Sequence, residues 1–234
     1  MDNTQDIGVI EFRNYLLKPN ASEGFRSLFN DKFTDPMENL GGFTLGQYQI
    51  ENDADRFVWI RGFENMQTRL RFLNDFYVES EVWKMYRDDA NSMIINSDNV
   101  FLLRPLVENG NLTETGGSIK RSVSQGQNDV LVVDFYTCND RLERVIELFK
   151  NEYLPYLRKI GVSNFTCWIS EMSENEFPRL PAFQDKNLFV LMTAYSSDME
   201  YRSKTKAIDA PQTNLMTAML ELITMRHRLI LFPN

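Results

Sequence analysis

One pattern limits what this chain can fold into more than any other. A strand, a helix, two strands, a helix and a strand follow in succession, and the succession occurs twice. Ile7–Tyr15 alternates apolar and polar residues with the period of two that marks a strand with two distinct faces. Asn20 with Glu23 three residues later forms a capping box. Phe25, Leu28, Phe29 and Phe33 then recur at helical spacing. Pro36 interrupts that stripe, Met37 and Leu40 prolong it past a kink, and Gly41-Gly42 stops it. Phe43–Glu51 and Arg56–Phe63 read as a hairpin turned by Asn52-Asp53-Ala54-Asp55. A helical region from Met66 to Ile94 falls in two pieces, and Val100–Leu103 closes the unit ahead of Arg104-Pro105. The order βαββαβ is that of the ferredoxin-like split βαβ motif.

Residues 107–129 are rich in Gly, Ser, Thr, Asn and Gln, which is linker composition. The pattern then restarts. Val130–Thr137 is a strand, Asp140 with Glu143 a second capping box, and Leu142, Val145, Ile146, Phe149 and Tyr153 a helix stripe ending at Ile160-Gly161. Ser163–Ser170 and Asn187–Tyr195 read as strands. Asp209 and Gln212 cap a helix through Leu215, Met219 and Leu222, and His227–Phe232 is the last strand. Val9-Ile10-Glu11-Phe12-Arg13 matches Val132-Val133-Asp134-Phe135-Tyr136, and Val100–Pro105 matches Arg228–Pro233. The expected fold is therefore α+β: residues 1–106 and 130–234 as two tandem ferredoxin-like units, joined by 107–129, that close an intramolecular pseudo-dimeric α/β barrel. The second unit alone carries an insertion, Ser173–Lys186, with Phe177, Pro178, Leu180, Pro181 and Phe183. It reads either as a surface loop packing its own aromatics or as a lid or arm docked on a neighbouring unit.

Composition removes several functions. With 25 Lys and Arg against 33 Asp and Glu, a net charge of −8 argues against nucleic acid. No apolar run approaches the roughly 20 residues of a membrane span, and the chain opens on polar, acidic residues. Two cysteines, Cys138 and Cys167, and one histidine, His227, are too few for a disulfide scaffold or the usual metal and haem ligand sets, so no cofactor is expected. P-loop, dinucleotide-binding and nucleophile-elbow motifs are absent from the sequence. The chain reads as a soluble, cytoplasmic protein with reduced thiols.

The ordered set of motifs resembles the NIPSNAP family of the dimeric α/β-barrel superfamily. Glu11-Phe12-Arg13-Asn14-Tyr15 looks like that family's opening E-x-R-x-Y strand, and Gly46-Gln47-Tyr48 its Gly followed by an aromatic. Phe63-Glu64-Asn65-Met66-Gln67-Thr68-Arg69 is similar to its Y-D-S-x-x-x-R turn. Trp83 falls where a Trp is frequent, and Leu103-Arg104-Pro105-Leu106 resembles the closing strand. The likeness covers 7–106 well; over 130–233 only Tyr195-Ser196-Ser197 echoes the turn. Trp59 and Arg61 stand where the family tends to have His and Trp. Asp134, Tyr136 and Cys138 replace Glu11, Arg13 and Tyr15 in the second unit. The resemblance implies a fold more firmly than an activity. Its superfamily includes cofactor-independent monooxygenases, haem-handling proteins and stress-response dimers, and it leaves a homodimer open.

In such a fold one sheet face packs on helices and the other closes the barrel. Alternation separates Ile10 and Phe12 from Glu11, Arg13 and Tyr15. With the apolar set on the helices, the polar set is expected inside the barrel, joined by Trp59 and Arg61 and by Asp134 and Tyr136, as the lining of a small-molecule cavity. Arg13 could then hold an anionic or enolate oxygen, Tyr15 donate a proton, and Glu11, raised by burial, act as a base. The same residues suit a structural ion pair between Glu11 or Asp134 and Arg13 or Arg61, which is the preferred reading because structural pairs perturb charges as active sites do. Three functions follow: a small-molecule-binding protein, a cofactor-independent oxygenase or isomerase, and a structural or interaction protein whose barrel is filled.

Overall fold

The computed structural model describes residues 7–108, 111–112, 130–138, 140–208 and 221–233. The first half runs β1 (Val9–Leu17), α1 (Ser22–Leu28), α2 (Thr34–Asn39), β2 (Phe43–Ile50), β3 (Asp53–Phe63), α3 (Met66–Asn74), α4 (Glu81–Met93), β4 (Ile94–Asn96) and β5 (Val100–Pro105). A small hairpin follows, β6 (Val107–Glu108) and β7 (Asn111–Leu112), inside the stretch expected as linker. The second half runs β8 (Val130–Cys138), α5 (Leu142–Leu148), α6 (Leu154–Lys159), β9 (Phe165–Ser170), β10 (Leu188–Tyr195), α7 (Asp198–Ile208) and β11 (Ile223–Pro233).

The strands lie in the order β2-β3-β1-β5 in the first half and β9-β10-β8-β11 in the second. β5 pairs with β9 and β11 with β2, so eight antiparallel strands close into a barrel, with β4 attached outside on β1. Closure leaves none of these eight strands an unpaired edge. Ile10 stands opposite Leu103 and Leu131 opposite Leu231, so the matched closing strands do occupy equivalent registers. The opening strands correct the sequence alignment. β1 and β8 begin at Val9 and Val130, which places Val132 opposite the role of Glu11, Asp134 that of Arg13, and Tyr136 that of Tyr15. The sequence match had slipped by two residues, which preserves the face and so leaves no mark in the alternation.

Both helical arms carry apolar side chains spaced strictly by four: Phe25, Phe29, Phe33 and Met37 in one, Val145, Phe149, Tyr153 and Leu157 in the other. On a straight α-helix a four-residue step drifts by about 40°. Each arm contains a widened π-helical turn, Phe29–Phe33 or Phe149–Tyr153, that winds back this drift and keeps the stripe on the sheet. Pro36 lies in the first turn after the widened segment, where proline is tolerated. The two expected capping boxes at the arms' starts do not form. Asn20 and Asp140 adopt positive φ, the caps are Ala21 and Arg141 without side-chain bonds, and Asp140 instead meets Lys186 and Asn187. Asp209 and Gln212 lie outside the described residues. The α7 helix was not expected; its start, Ser197 accepting from the Glu200 amide at 3.1 Å, is an S-x-x-E cap legible in the sequence. Among the described residues, no helix is long and apolar enough to cross a membrane.

Three apolar cores result. The barrel interior holds Ile10, Phe12, Val58, Ile60, Val133, Phe135, Trp168 and Val190, with Phe12 and Phe135 meeting edge to face at 5.2 Å. The other two lie between the sheet and the helices of each half. Both arms end identically. The Gly42 and Gly41 amides donate to Met37 and Glu38, and those of Val162 and Gly161 to Leu157 and Arg158, with the glycines at φ of 85° and 79°. A Cβ at Gly41 would meet no atom within 4 Å, so backbone conformation alone sets the cost of adding one. Gly41→Ala is expected to lower unfolding free energy by about 1–2 kcal/mol in urea denaturation, with an unchanged m-value.

Candidate functional site

The faces of β1 are reversed from the sequence expectation. Ile10 and Phe12 line the barrel, while Glu11, Arg13 and Tyr15, with Trp59 and Arg61 from β3, point to the helices of the first half. The assumption that failed was that helices take the more apolar face. Both faces are buried, and among the described residues the arginines that meet Glu11 lie on the helix side rather than in the barrel core.

Glu11 is fully buried and stands directly opposite Arg61 in the β1–β3 register. Arg61 donates to Oε2 from Nη2 at 2.5 Å and from Nε at 3.0 Å, and Arg13 donates to the same oxygen from Nη1 at 2.9 Å. Arg69, brought in by α3, donates from Nε to Oε1 at 2.7 Å. Asn65 caps α3 reciprocally with Thr68, which fixes the helix start and turns Arg69 to the sheet. The two motif pieces, E-x-R and the turn ending in Arg, thus meet in one cluster. Arg61 also lies over the rings of Trp59 and Phe72, at 5.0 and 4.7 Å. Burial works to raise the Glu11 carboxyl, but the charges of Arg61, Arg13 and Arg69 outweigh it and hold it well below its ordinary value of 4.5. Glu11 is therefore no general base.

Two phenols complete the cluster. Arg13 Nε donates to the Tyr15 hydroxyl at 2.8 Å, and Arg61 Nη1 to that of Tyr77 at 3.0 Å. Burial raises Tyr15 above its ordinary value of 10.0 despite the nearby Arg13 charge, so it is a protonated phenol at neutral pH. Tyr15, Trp59 and Tyr77 also line an aromatic cavity of about 110 Å³ between sheet and helices, walled further by Phe29, Phe33 and Trp83. A wider depression of about 410 Å³ outside it shares Tyr77, Trp83, Asn91 and Leu180. One pocket in the barrel, walled by Ile10, Leu45, Ile60, Leu131 and Trp168, measures about 30 Å³ and is mainly apolar.

The Ser173–Lys186 insertion docks on this site from the second half. Asn175 Oδ1 accepts from Arg69 Nη1 at 2.9 Å, Phe177 is buried in the first half's helix-side core, and Leu180 walls the cavity. Phe183 joins β5 through the Phe183 amide to Val100 carbonyl bond at 2.7 Å. Of the two readings of the insertion, the docked arm is the one observed.

Asp134 and Tyr136 do not join the cluster. They face the helix side of the second half, where Arg226 and Arg228 donate to Asp134 at 3.0 and 2.8 Å. His227 is exposed. Burial pushes the Cys138 and Cys167 thiols up to about 12, which leaves them inert. Arg69, Tyr77 and Asn175 were missed as site residues. Arg69 was legible as the end of the turn motif, whereas Tyr77 and Asn175 depend on packing alone.

No protein-family profile and no curated protein matches the chain. Solved structures do. A provisionally assigned monooxygenase from Fusobacterium nucleatum is 11% identical with a TM-score of 0.62, covering 97% of this chain and 93% of its own. An anthrone oxidase-like protein is 8% identical with a TM-score of 0.64, over 99% and 93%. The chain shares their fold. Similar structures also include NIPSNAP proteins over about two-fifths of the chain. One, an uncharacterised NIPSNAP domain protein from Burkholderia xenovorans, is 12% identical with a TM-score of 0.38, over 42% of this chain and 95% of its own.

Glu11→Gln should destabilise the protein by about 3–5 kcal/mol at neutral pH, because it leaves three buried guanidiniums without a counter-charge. The folded carboxyl titrates below its unfolded value, so its stabilisation is complete above about pH 4.5 and is lost as pH falls towards the folded value. Urea denaturation from pH 7 to pH 3 should show the wild-type advantage over Glu11→Gln shrinking below that point. A pH-independent difference would contradict the assignment.

Proposed function

We propose that this chain is a NIPSNAP-like small-molecule-binding protein built of two tandem ferredoxin-like units, 1–106 and 130–234, joined by 107–129. The ligand sits between the sheet and the helices of the first unit rather than in the barrel. The observation that carries this is the aromatic cavity of about 110 Å³ beside a buried ion cluster, opening towards a wider depression. Its walls suit a single ring. The meeting of Glu11, Arg13 and Arg69 from the two motif pieces supports the family reading. The apolar barrel core taken alone suits a structural role, and the cavity beside it is what argues for a ligand.

A second reading, a cofactor-independent oxygenase or isomerase, draws on the protonated Tyr15 next to Arg13. In it Tyr15 would donate to a developing oxyanion, and the base would come from the substrate or from a group other than Glu11. The monooxygenase and oxidase names of the full-length neighbours accord with this reading but belong to those proteins.

Fluorobenzene, followed by ¹⁹F NMR, tests the cavity. Wild-type protein should show a saturable shift or broadening of the probe signal. Ala90, buried on α4 against the cavity, can be replaced by Met, a flexible side chain that fills the space. Ala90→Met should abolish probe binding at a stability cost of about 1–3 kcal/mol. Binding that survives this substitution would place the ligand elsewhere.

A further inference from the structure

Three polar groups of the cavity wall have a single sense. A guanidinium has donors and no acceptor, so each phenol bonded to one accepts that bond and keeps its own proton for another partner. Tyr15 accepts from Arg13 and Tyr77 from Arg61, and among the described residues no group accepts a hydrogen bond from either hydroxyl. Trp59, in the same wall, has a buried Nε1–H with no partner. Indole nitrogen only donates. Three donors without acceptors therefore belong to side chains lining one aromatic space. Asn91 and Ser97, which also line it, can turn either way, and Asn91 is exposed.

We infer that the cavity recognises a ring-bearing carbonyl compound, its oxygen accepting hydrogen bonds at its two lone pairs from this donor set, Tyr77 among them. This rests on the cavity being the ligand site. A buried donor left unmade is costly, so the unpartnered Trp59 N–H and the unused Tyr15 proton are most simply explained by an acceptor that arrives with the ligand, with the half-buried Tyr77 adding a third donor. The electrostatics favour the same sense. Three guanidiniums against one carboxylate leave an excess of positive charge behind the two phenols, which strengthens them as donors and opposes a ligand ammonium. The aromatic walls receive the ring, and the arm carrying Leu180 covers it. Neither arginine lines the cavity, so their part is to polarise and orient the phenols.

The test compares two isosteric probes, acetophenone and α-methylstyrene, which differ by an oxygen in place of a methylene. Binding is read by tryptophan fluorescence, and the carbonyl of ¹³C-labelled acetophenone by infrared difference spectroscopy. Acetophenone should bind on the order of tenfold tighter than the hydrocarbon. Its bound carbonyl band should lie below its position in water. Tyr77→Phe, a half-buried change that removes one donor, should move the band back towards that position and weaken acetophenone severalfold while leaving α-methylstyrene unchanged. The infrared position in the wild-type protein decides the matter even if Tyr77→Phe fails to fold. If α-methylstyrene binds as well as acetophenone and the carbonyl band sits where an apolar solvent leaves it, the inference falls while the cavity stands as a ring site. If neither probe nor fluorobenzene binds, the proposed site itself falls.

Discussion

A carboxylate sealed from water stays ionised only if donors surround it, and the first half of this protein is arranged around meeting that demand for Glu11. Of its partners, Arg13 stands two residues along the same strand, Arg61 on the neighbouring strand, and Arg69 on the helix laid across them. The pairing ties β1, β3 and α3 to one another at a defined depth. It also sets which face of β1 turns outward from the barrel, because only a layer with helices can deliver a third guanidinium and the phenol of Tyr77. Such a cluster gives little net stability over a well-packed apolar core, but removing one member leaves buried charge exposed to its full desolvation cost. Its effect is to hold one geometry.

The geometry held is that of the cavity wall. Tyr15 and Tyr77 are anchored by their oxygens to Arg13 and Arg61, and Trp59 lies under Arg61. Side chains fixed in this way cannot rotate to fill the space beside them, which is how about 110 Å³ stays open within an aromatic layer. The second half closes the arrangement from outside, with Asn175 accepting from Arg69 Nη1 and Phe177 buried beneath the arm. Its own helix-side layer holds Asp134 with Arg226 and Arg228, nearer the surface. The two halves share strand order and arm geometry, yet the elaborated ion cluster belongs to one of them.

Alternation in Ile7–Tyr15, the stripes of the two arms, the glycine stops and the matched closing strands were enough to reach an α+β barrel, because each is a local property that sequence spacing records directly. They also isolated Glu11, Arg13, Tyr15, Trp59 and Arg61 as one set, since residues two apart on paired strands must share a face. Which way that face turns was decided only by the tertiary structure. Period-two spacing is symmetric under exchange of the two faces, and when both are buried, hydrophobicity no longer breaks the tie. The deciding factor was the desolvation of one carboxylate, which needed a donor from residue 69, while the phenol of residue 77 accepts from Arg61. The docking of residues 173–186 onto the opposite half was likewise beyond reach of spacing, because it depends on two distant surfaces being brought together by barrel closure.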